Sequence, residues 1–351
     1  MKNLGYNVLK YWIKAGLHCY YGKIRTVGKE NIPKNAPVLF LPNHQSALID
    51  VLLIGVDCDR KPWFLTRSDV FKKPALKKFF GYLQMIPIYR IRDGRASLKK
   101  NEAVFVQCAE LFAKNEAILM FPEANHNIKR RVRPLSKGFT RILFGALDKY
   151  PDLDIQLVPV GLNYKDAAAF PDSIAINFGK PIAVKSLYQK DDLHASTNFI
   201  KNAVANSLKT LTTHIEDLEN YETISAQLDA FQVDYLKPAQ VNEVLQKFEI
   251  PKAIVRDAPK AGLFSGLFGK LFKLIFTLIN LPMVLGWRFW MKPKVWEPEF
   301  AATLRFGYAL LATPIYYLIV FAIVAVFATP LIGLLSVFGL FAFNWLYVKL
   351  A

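Results

Sequence analysis

The segment Val38-Leu-Phe-Leu-Pro-Asn-His44-Gln-Ser-Ala-Leu-Ile-Asp50 holds the clearest pairing of groups able to do chemistry. An apolar strand ends at Leu41, a short turn follows, and His44 opens what reads as a helix, with Asn43 or Ser46 as its cap. Histidine is the side chain that most readily takes and returns a proton near neutral pH. Asp50 lies six positions on, nearly two helical turns, so its carboxylate reaches the imidazole only if the intervening segment is not an ideal helix. If they meet, the carboxylate fixes the ring tautomer and makes the other nitrogen more basic. Such a histidine can strip a proton from a hydroxyl that attacks a thioester. Taken alone, a His–Asp pair is more often a structural hydrogen bond.

The elements that must position this pair read as an α/β domain over residues 23–185, with a largely parallel or mixed sheet flanked by helices. Short apolar runs at Val38–Leu41, Trp63–Leu65, Met85–Ile88, Ala117–Phe121, Ile155–Leu162 and Ser173–Phe178 read as strands. Helical patterns near 49–57, 70–82, 95–115 and 136–149 alternate with them. Sites in such sheets gather at the carboxyl ends of strands. Arg90 follows one strand and Arg67 another, and a guanidinium there can grip a phosphate with two parallel bonds. Arg92, Lys72 and Lys73 are further cations, the two lysines reading best as solvated surface charge. Glu123 follows the strand ending at Phe121 and reaches the same edge. Pro159, in Val158-Pro-Val160-Gly161, is expected to end or bend a strand near the sheet edge. The basic run 129–138 could meet phosphate, a coenzyme A moiety, an acidic carrier protein or anionic headgroups. A nucleic-acid patch is the rival reading, disfavoured by the apolar C-terminal region.

Four blocks in order resemble the glycerolipid acyltransferase family, which includes PlsC-like lysophosphatidate acyltransferases and glycerol-3-phosphate acyltransferases. They are Asn43-His44-Gln45-Ser46 with Asp50, Gly81-Tyr-Leu-Gln-Met-Ile-Pro87-Ile-Tyr-Arg90-Ile-Arg92, Phe121-Pro122-Glu123, and Val158-Pro159-Val160. The resemblance covers roughly residues 24–183. It implies His44 as catalytic base, Asp50 as its orienting partner, Arg90 and the Pro122–Glu123 block at the acceptor, and the Pro159 block at the acyl-donor channel. Glu123 would accept a hydrogen bond from a glycerol hydroxyl. Two departures stand out. Five residues separate His44 from Asp50 where the family usually has four, a variant similar to some glycerol-phosphate acyltransferases. Ala124 stands where the family's third block continues with glycine, so the loop is expected to differ in shape. His126 beyond it reads as a partly exposed loop histidine.

The implied reaction is direct transfer, with amides at the start of the helix after His44 steadying the oxyanion. Ser46 and Cys58 are the nearest nucleophiles, and neither is expected to form an acyl-enzyme. No metal or redox cofactor is expected; acyl-CoA or acyl carrier protein enters as a co-substrate. The partners are membrane lipids and a glycerol-phosphate acceptor, with no nucleic acid. Another lipid acceptor, or a noncatalytic lipid-binding role, is the alternative.

Fifty-three per cent of the 351 residues are hydrophobic and the formal charge is +17. From Phe306 to Val348 no residue is charged, which suits a transmembrane hairpin at about 306–328 and 330–348, broken at Ala328-Thr329-Pro330. A buried pair of helices in a soluble core is the plainer alternative. Arg305 and Lys349 flank the pair, so both ends are expected to face the cytoplasm, with the catalytic domain on that side of an integral membrane protein. Residues 261–291 are apolar but carry Lys270, Lys273 and Arg288, and read as interfacial or re-entrant. Residues 1–22 read as an amphipathic helix rather than a signal peptide, lying on the membrane or on the domain. Residues 186–260 read as a helical cover or linker, with Leu193, Phe199, Ile200, Val204 and Leu208 on one stripe. Three cysteines without close pairing argue against a disulfide framework. Oligomeric state is not legible.

Overall fold

The computed structural model of the chain describes residues 2–71, 78, 80–90, 99–247 and 266–350. Helix α1 (Lys2–Tyr20) runs directly into β1 (Tyr21–Val27). There follow β2 (Val38–Pro42), α2 (Ala47–Asp57), β3 (Trp63–Arg67), β4 (Met85–Ile88), α3 (Asn101–Ala113), β5 (Ala117–Leu119), α4 (Gly138–Lys149) and β6 (Gln156–Tyr164). β7 (Asp172–Phe178) and β8 (Ile182–Ala183) complete one mixed sheet in the order β1-β7-β6-β2-β5-β3-β4, with β8 also on β6. β6, β2, β5, β3 and β4 are parallel neighbours. β7 runs antiparallel to β6, and β1 follows β7.

β2 sits mid-sheet, and every one of its residues is buried, as expected of a parallel strand covered on both faces. Its side chains alternate between two cores. Leu39 and Leu41 pack with Phe112 of α3 and Phe139, Ile142 and Leu143 of α4. Val38 and Phe40 pack with Leu17 of α1 and Ile49, Leu53 and Ile54 of α2. Helix α5 (Leu193–Leu211) covers the first core, while α6 (Tyr221–Ala230) and α7 (Pro238–Gln246) build a small core of their own. The buried stripe of α5 is Ile200, Val204 and Leu208, spaced four apart. Leu193 and Phe199, expected on it, are exposed because they fall off that face.

Pro159 neither ends nor bends a strand at the sheet edge. It lies inside β6 opposite Leu41, where the far side of β6 changes partner: β8 pairs Gln156 and Leu157, and β7 pairs Val160 onward. The missing N–H falls in the gap between the two partners, which is where a central strand tolerates proline. Two strands were not legible as strands. β1 carries Lys23 and Arg25 at the edge of the sheet, a common protection of an open edge, and β8 has only two residues. Within the expected helix at 70–82, the stretch 72–77 lies outside the described residues, and so does the start of the one at 95–115.

Helix α8 (Leu267–Ile279) meets α9 (Leu281–Leu285), which continues to Lys294 through a π-helical turn at Gly286–Met291, at an angle of 89°. Leu267, Leu271, Leu274 and Leu278 of α8 are exposed. Helices α10 (Ala301–Phe327) and α11 (Pro330–Leu350) are both long and apolar enough to cross a membrane. α10 begins before residue 306 because Ala302 and Phe306 join the core around Leu17 and Ile49. The flanking cations tie the hairpin to the domain: Arg305 Nη1 donates to the carbonyls of Ala168 (3.1 Å) and Ala169 (2.8 Å), and Lys349 Nζ to those of His18, Tyr21 and Gly22. Asn280 and Asn344 exchange hydrogen bonds of 2.7 and 2.9 Å between α8 and α11. α1 buries Tyr6, Leu17 and Tyr20 on the domain and exposes Leu4, Val8, Tyr11 and Trp12.

Asp172 opens β7 beside Tyr21. Its Oδ1 accepts the Asp166 N–H at 2.8 Å, and Oδ2 has no partner among the described residues. Burial pushes this carboxyl up to about 7. The folded state therefore holds the proton more tightly than the unfolded chain does. This group favours folding at acid pH and loses that contribution as the pH rises through about 7. Asp172→Asn is expected to raise the Tm of the detergent-solubilised chain by several degrees at pH 8 and to change it little at pH 4. Scanning calorimetry at the two pH values checks this, and equal shifts at both would exclude burial of the carboxylate as the cause.

Candidate active site

The turn after β2 is held from both sides. Asn43 is not a helix cap. Its Nδ2 donates to the Leu162 carbonyl (3.1 Å) and its Oδ1 accepts the Leu162 N–H (2.7 Å), fastening the turn to β6. Ser46 occupies the N-cap position of α2 without a side-chain cap bond. Capping passes instead to Asp50 in the first turn. Its Oδ2 accepts the N–H groups of Gln45 (2.9 Å) and Ser46 (2.8 Å), the reaching-back half of a capping box.

The same oxygen meets His44 Nδ1 at 2.8 Å. Oδ1 accepts the hydroxyl of Tyr164, the last residue of β6. The six-residue spacing works because α2 starts only at Ala47, which leaves His44 to Ser46 free to curl over the carboxylate. Asp50 is fully buried, and the His44 side chain is 13% exposed. A carboxylate only accepts, so Nδ1 carries the ring proton and Nε2 holds the lone pair. Burial and the Asp50 charge push the Tyr164 hydroxyl well above its ordinary range, so it remains a donor. Gln45 and Ser46 direct their amides at Asp50, so these two do not serve as the expected oxyanion donors.

Phe121 stacks on the His44 ring, with centroids 3.7 Å apart and planes within 19°, which fixes the plane of the imidazole. Pro122 is buried, and its carbonyl accepts the Ser136 N–H at 2.8 Å. The Glu123 side chain is 2% exposed and accepts the Arg133 backbone N–H (3.0 Å), Nε (3.1 Å) and Nη2 (2.7 Å). Burial raises this carboxyl and Arg133 pulls it back. With both oxygens engaged, Glu123 braces its loop instead of offering a free acceptor to a glycerol hydroxyl. Ala124 takes φ 61°, the left-handed conformation that glycine favours, despite its β-carbon.

Arg67 ends β3, partly exposed, with Nε 3.2 Å from Asp69. Arg90 is half-buried just beyond β4. The strand exit before it is clamped by Asn101, which accepts the Tyr89 N–H (2.9 Å) and donates to the Tyr89 carbonyl (2.8 Å). Arg92, Lys72 and Lys73 lie outside the described residues. Pro159 backs Leu41 on the neighbouring strand. Much of the basic run is structural: Lys129 pairs with Glu222, Arg133 with Glu123, and Arg130 donates to the carbonyls of Tyr164 and Lys165 over the ring of Tyr235. These cations satisfy loop carbonyls and carboxylates and are not open phosphate contacts.

His126 lies in a loop with intermediate exposure, as expected. Its side chain is 10% exposed, its ring 5.6 Å from that of His44 and 4.8 Å from that of Phe300, which puts it beside the site. Burial lowers its pKa, and the nearby His44 adds to this. The C-terminal apolar region thus reaches the site: Glu299 accepts the Ile128 N–H (3.0 Å), Ser46 Oγ donates to the Glu299 carbonyl (3.5 Å), and Thr303 Oγ1 accepts the Ile49 N–H (3.3 Å). Among the described residues, His126, Glu297 and Glu299 are a group able to hold a cation, with ligand atoms within 4.8 Å of one another. Sequence reasoning missed Tyr164, Asn101, Arg133, Glu299 and Thr303. For Tyr164 a signal existed, since it stands at the carboxyl end of a strand like the other site residues.

Residues 23–163 match the family model described as Acyltransferase. That stretch is similar to an acyltransferase domain. The chain is 28% identical over 311 residues to glycerol-3-phosphate O-acyltransferase 1 of Saccharomyces cerevisiae, covering 64% of this chain and 41% of that relative. It is 23% identical over 219 residues to 1-acyl-sn-glycerol-3-phosphate acyltransferase of Borreliella burgdorferi, covering 59% and 80%. The chain therefore spans less than half the length of the yeast relative. The structure of the 1-acyl-sn-glycerophosphate acyltransferase PlsC from Thermotoga maritima is 18% identical, covers 59% of this chain and 81% of its own, and has a TM-score of 0.42. The His44–Asp50 turn, the Phe121–Glu123 loop and most of β6 all fall within the matched acyltransferase domain.

Ala124 is exposed, so replacing it sacrifices no packing. A left-handed non-glycine residue costs about 1–2 kcal/mol, offset in part by the freedom glycine loses on folding. Ala124→Gly is expected to stabilise the domain by about 1 kcal/mol, roughly 2–4 °C in Tm, and Ala124→Val to destabilise it. Thermal melts of the two variants in one detergent check the ordering.

Proposed function

We propose that the chain is a membrane-bound enzyme that moves a fatty acyl group from a thioester to a hydroxyl of glycerol 3-phosphate or lysophosphatidate. The observation that carries this reading is the 2.8 Å contact between His44 Nδ1 and Asp50, which leaves Nε2 as a base. His44 Nε2 takes the proton of the acceptor hydroxyl as its oxygen bonds to the thioester carbonyl carbon. The tetrahedral intermediate collapses, the C–S bond breaks, and the imidazolium returns the proton to the departing thiolate. Phe121 holds the ring against rotation and Tyr164 holds the carboxylate.

A direct transfer fits the neighbouring groups. Ser46 Oγ is turned to the Glu299 carbonyl, and burial pushes the Cys58 thiol up to about 11, so neither is an activated nucleophile. Arg90 and Arg67, both at strand ends of the same edge, are the candidate grips for the acceptor phosphate. The donor is acyl-CoA or an acyl carrier protein. The apolar pair α10 and α11, with Arg305 and Lys349 at its domain end, supports anchoring with the catalytic domain on the cytoplasmic face. The greasy donor and product then stay in the bilayer while the phosphate meets the basic face.

Membranes containing the full chain, given labelled acyl-CoA or acyl carrier protein and a panel of glycerol 3-phosphate, lysophosphatidate and other lysophospholipids, are expected to form ester product with a phosphate-bearing acceptor. His44→Ala should reduce the rate by about 10²–10⁴-fold, and Asp50→Asn comparably, through the wrong ring tautomer. Tyr164→Phe should lower kcat about tenfold with KM little changed, since it deprives Asp50 of one buried donor. Full activity of His44→Ala would refute the base role. Lipid binding without any acylated product would mark a noncatalytic protein.

A further inference from the structure

The membrane region encloses a half-open cavity of about 820 Å³ between α1, α8 and its bent continuation, α10 and α11. This is toward the upper end of the roughly 300–1,000 Å³ usual for ligand clefts. Neither His44 nor Asp50 lines it. The wall is mostly apolar, built by residues such as Phe276, Phe306 and Leu310. Among the described residues, two cations, Lys273 and Arg305, reach it and no carboxylate does.

Polar groups line the end next to the domain, and Asn280, Tyr317 and Asn344 form a second, uncharged polar group in the wall. Arg305 is held by the Ala168 and Ala169 carbonyls and lies 4.9 Å from the Trp287 ring. The Tyr20 hydroxyl is buried at the same wall, within reach of Arg305. α10 contributes its half nearest the domain and α11 its closing turns, so the cavity lies in the leaflet on the domain side. The exposed leucines of α8 extend an apolar surface from its rim. A ligand here needs a negative head, to meet two cations that no protein carboxylate neutralises, and an apolar body able to continue into hydrocarbon.

We propose that this cavity binds a two-chain anionic phospholipid of the surrounding leaflet, apart from the catalytic groove, with its phosphate at Arg305, Lys273 and Tyr20 and its acyl chains between α1, α8 and α10. The assignment stands independently of the acyl-transfer reading. Arg305 and Phe306 follow Thr303, the residue that meets the catalytic turn through Ile49. The bound lipid thereby braces the helix turn that supports the site.

The test is native mass spectrometry of the full chain after delipidation and exposure to mixed micelles of phosphatidylglycerol, phosphatidylcholine or phosphatidate with matched chains. The wild type is expected to retain one phosphatidylglycerol at least tenfold better than phosphatidylcholine. Thr313→Phe, which fills the cavity from α10, should abolish retention, and Ala309→Leu on the same helix should weaken it. Lys273→Ala changes an exposed side chain and should reduce the preference for the anionic lipid several-fold. Equal retention of both lipids, wild-type retention in a folded Thr313→Phe or Ala309→Leu chain, or an unchanged preference in Lys273→Ala would overturn the proposal. Retention of phosphatidate alone would also overturn it, and would make the cavity part of the substrate path.

Discussion

A single buried carboxylate organises the site. Asp50 gathers four donors from the turn, from the histidine and from the end of a second strand. Burying an anion is costly unless it is hydrogen-bonded throughout, so the geometry around it is tightly constrained. The start of α2 cannot move without stranding Gln45 and Ser46, and β6 cannot slide against β2 without withdrawing Tyr164. The orientation of the His44 ring follows from these constraints, with Phe121 closing the remaining freedom. The neighbouring loop applies the same solution in reverse, with Glu123 buried and held by three donors from Arg133.

The sequence discloses the strand–turn–helix bearing His44 because apolar strand and polar turn alternate sharply there, and only a departure from helix lets residue 50 reach residue 44. It also discloses the hairpin, since an unbroken uncharged stretch with a central proline has few other solutions. The partners from far along the chain were hidden. Tyr164 reads as an ordinary strand residue until β6 is known to lie against β2. The basic run reads as a ligand surface because charge is visible in sequence, whereas the carbonyls and carboxylates that neutralise it come together only by folding. The left-handed turn at Ala124 was hidden for another reason: backbone conformation follows the loop's hydrogen bonds, and an exposed alanine can be forced into it at modest cost. The place of His126 beside the site was hidden because Phe300, which packs on it, is more than 170 positions away.

The two apolar C-terminal helices and the α/β domain share side chains. Ala302 and Phe306 belong to the same core as Leu17 and Ile49, and Glu299 holds the loop that carries His126. The Asn280–Asn344 exchange, with Tyr317 as a further partner of Asn344, then fixes α8 against the hairpin. Polar side chains between apolar helices are costly to separate because hydrocarbon offers them no alternative partner.

Helix length acts here as a ruler. The 27 residues of α10 extend about 40 Å at 1.5 Å each, against a hydrocarbon thickness of about 30 Å. The surplus falls at the end joined to the domain, where the first turns of α10 touch Ile49 and adjoin the linker over His126. A bilayer around the apolar part of α10 would therefore meet the imidazole at a height set by the backbone itself, at the level of lipid phosphates and glycerol oxygens.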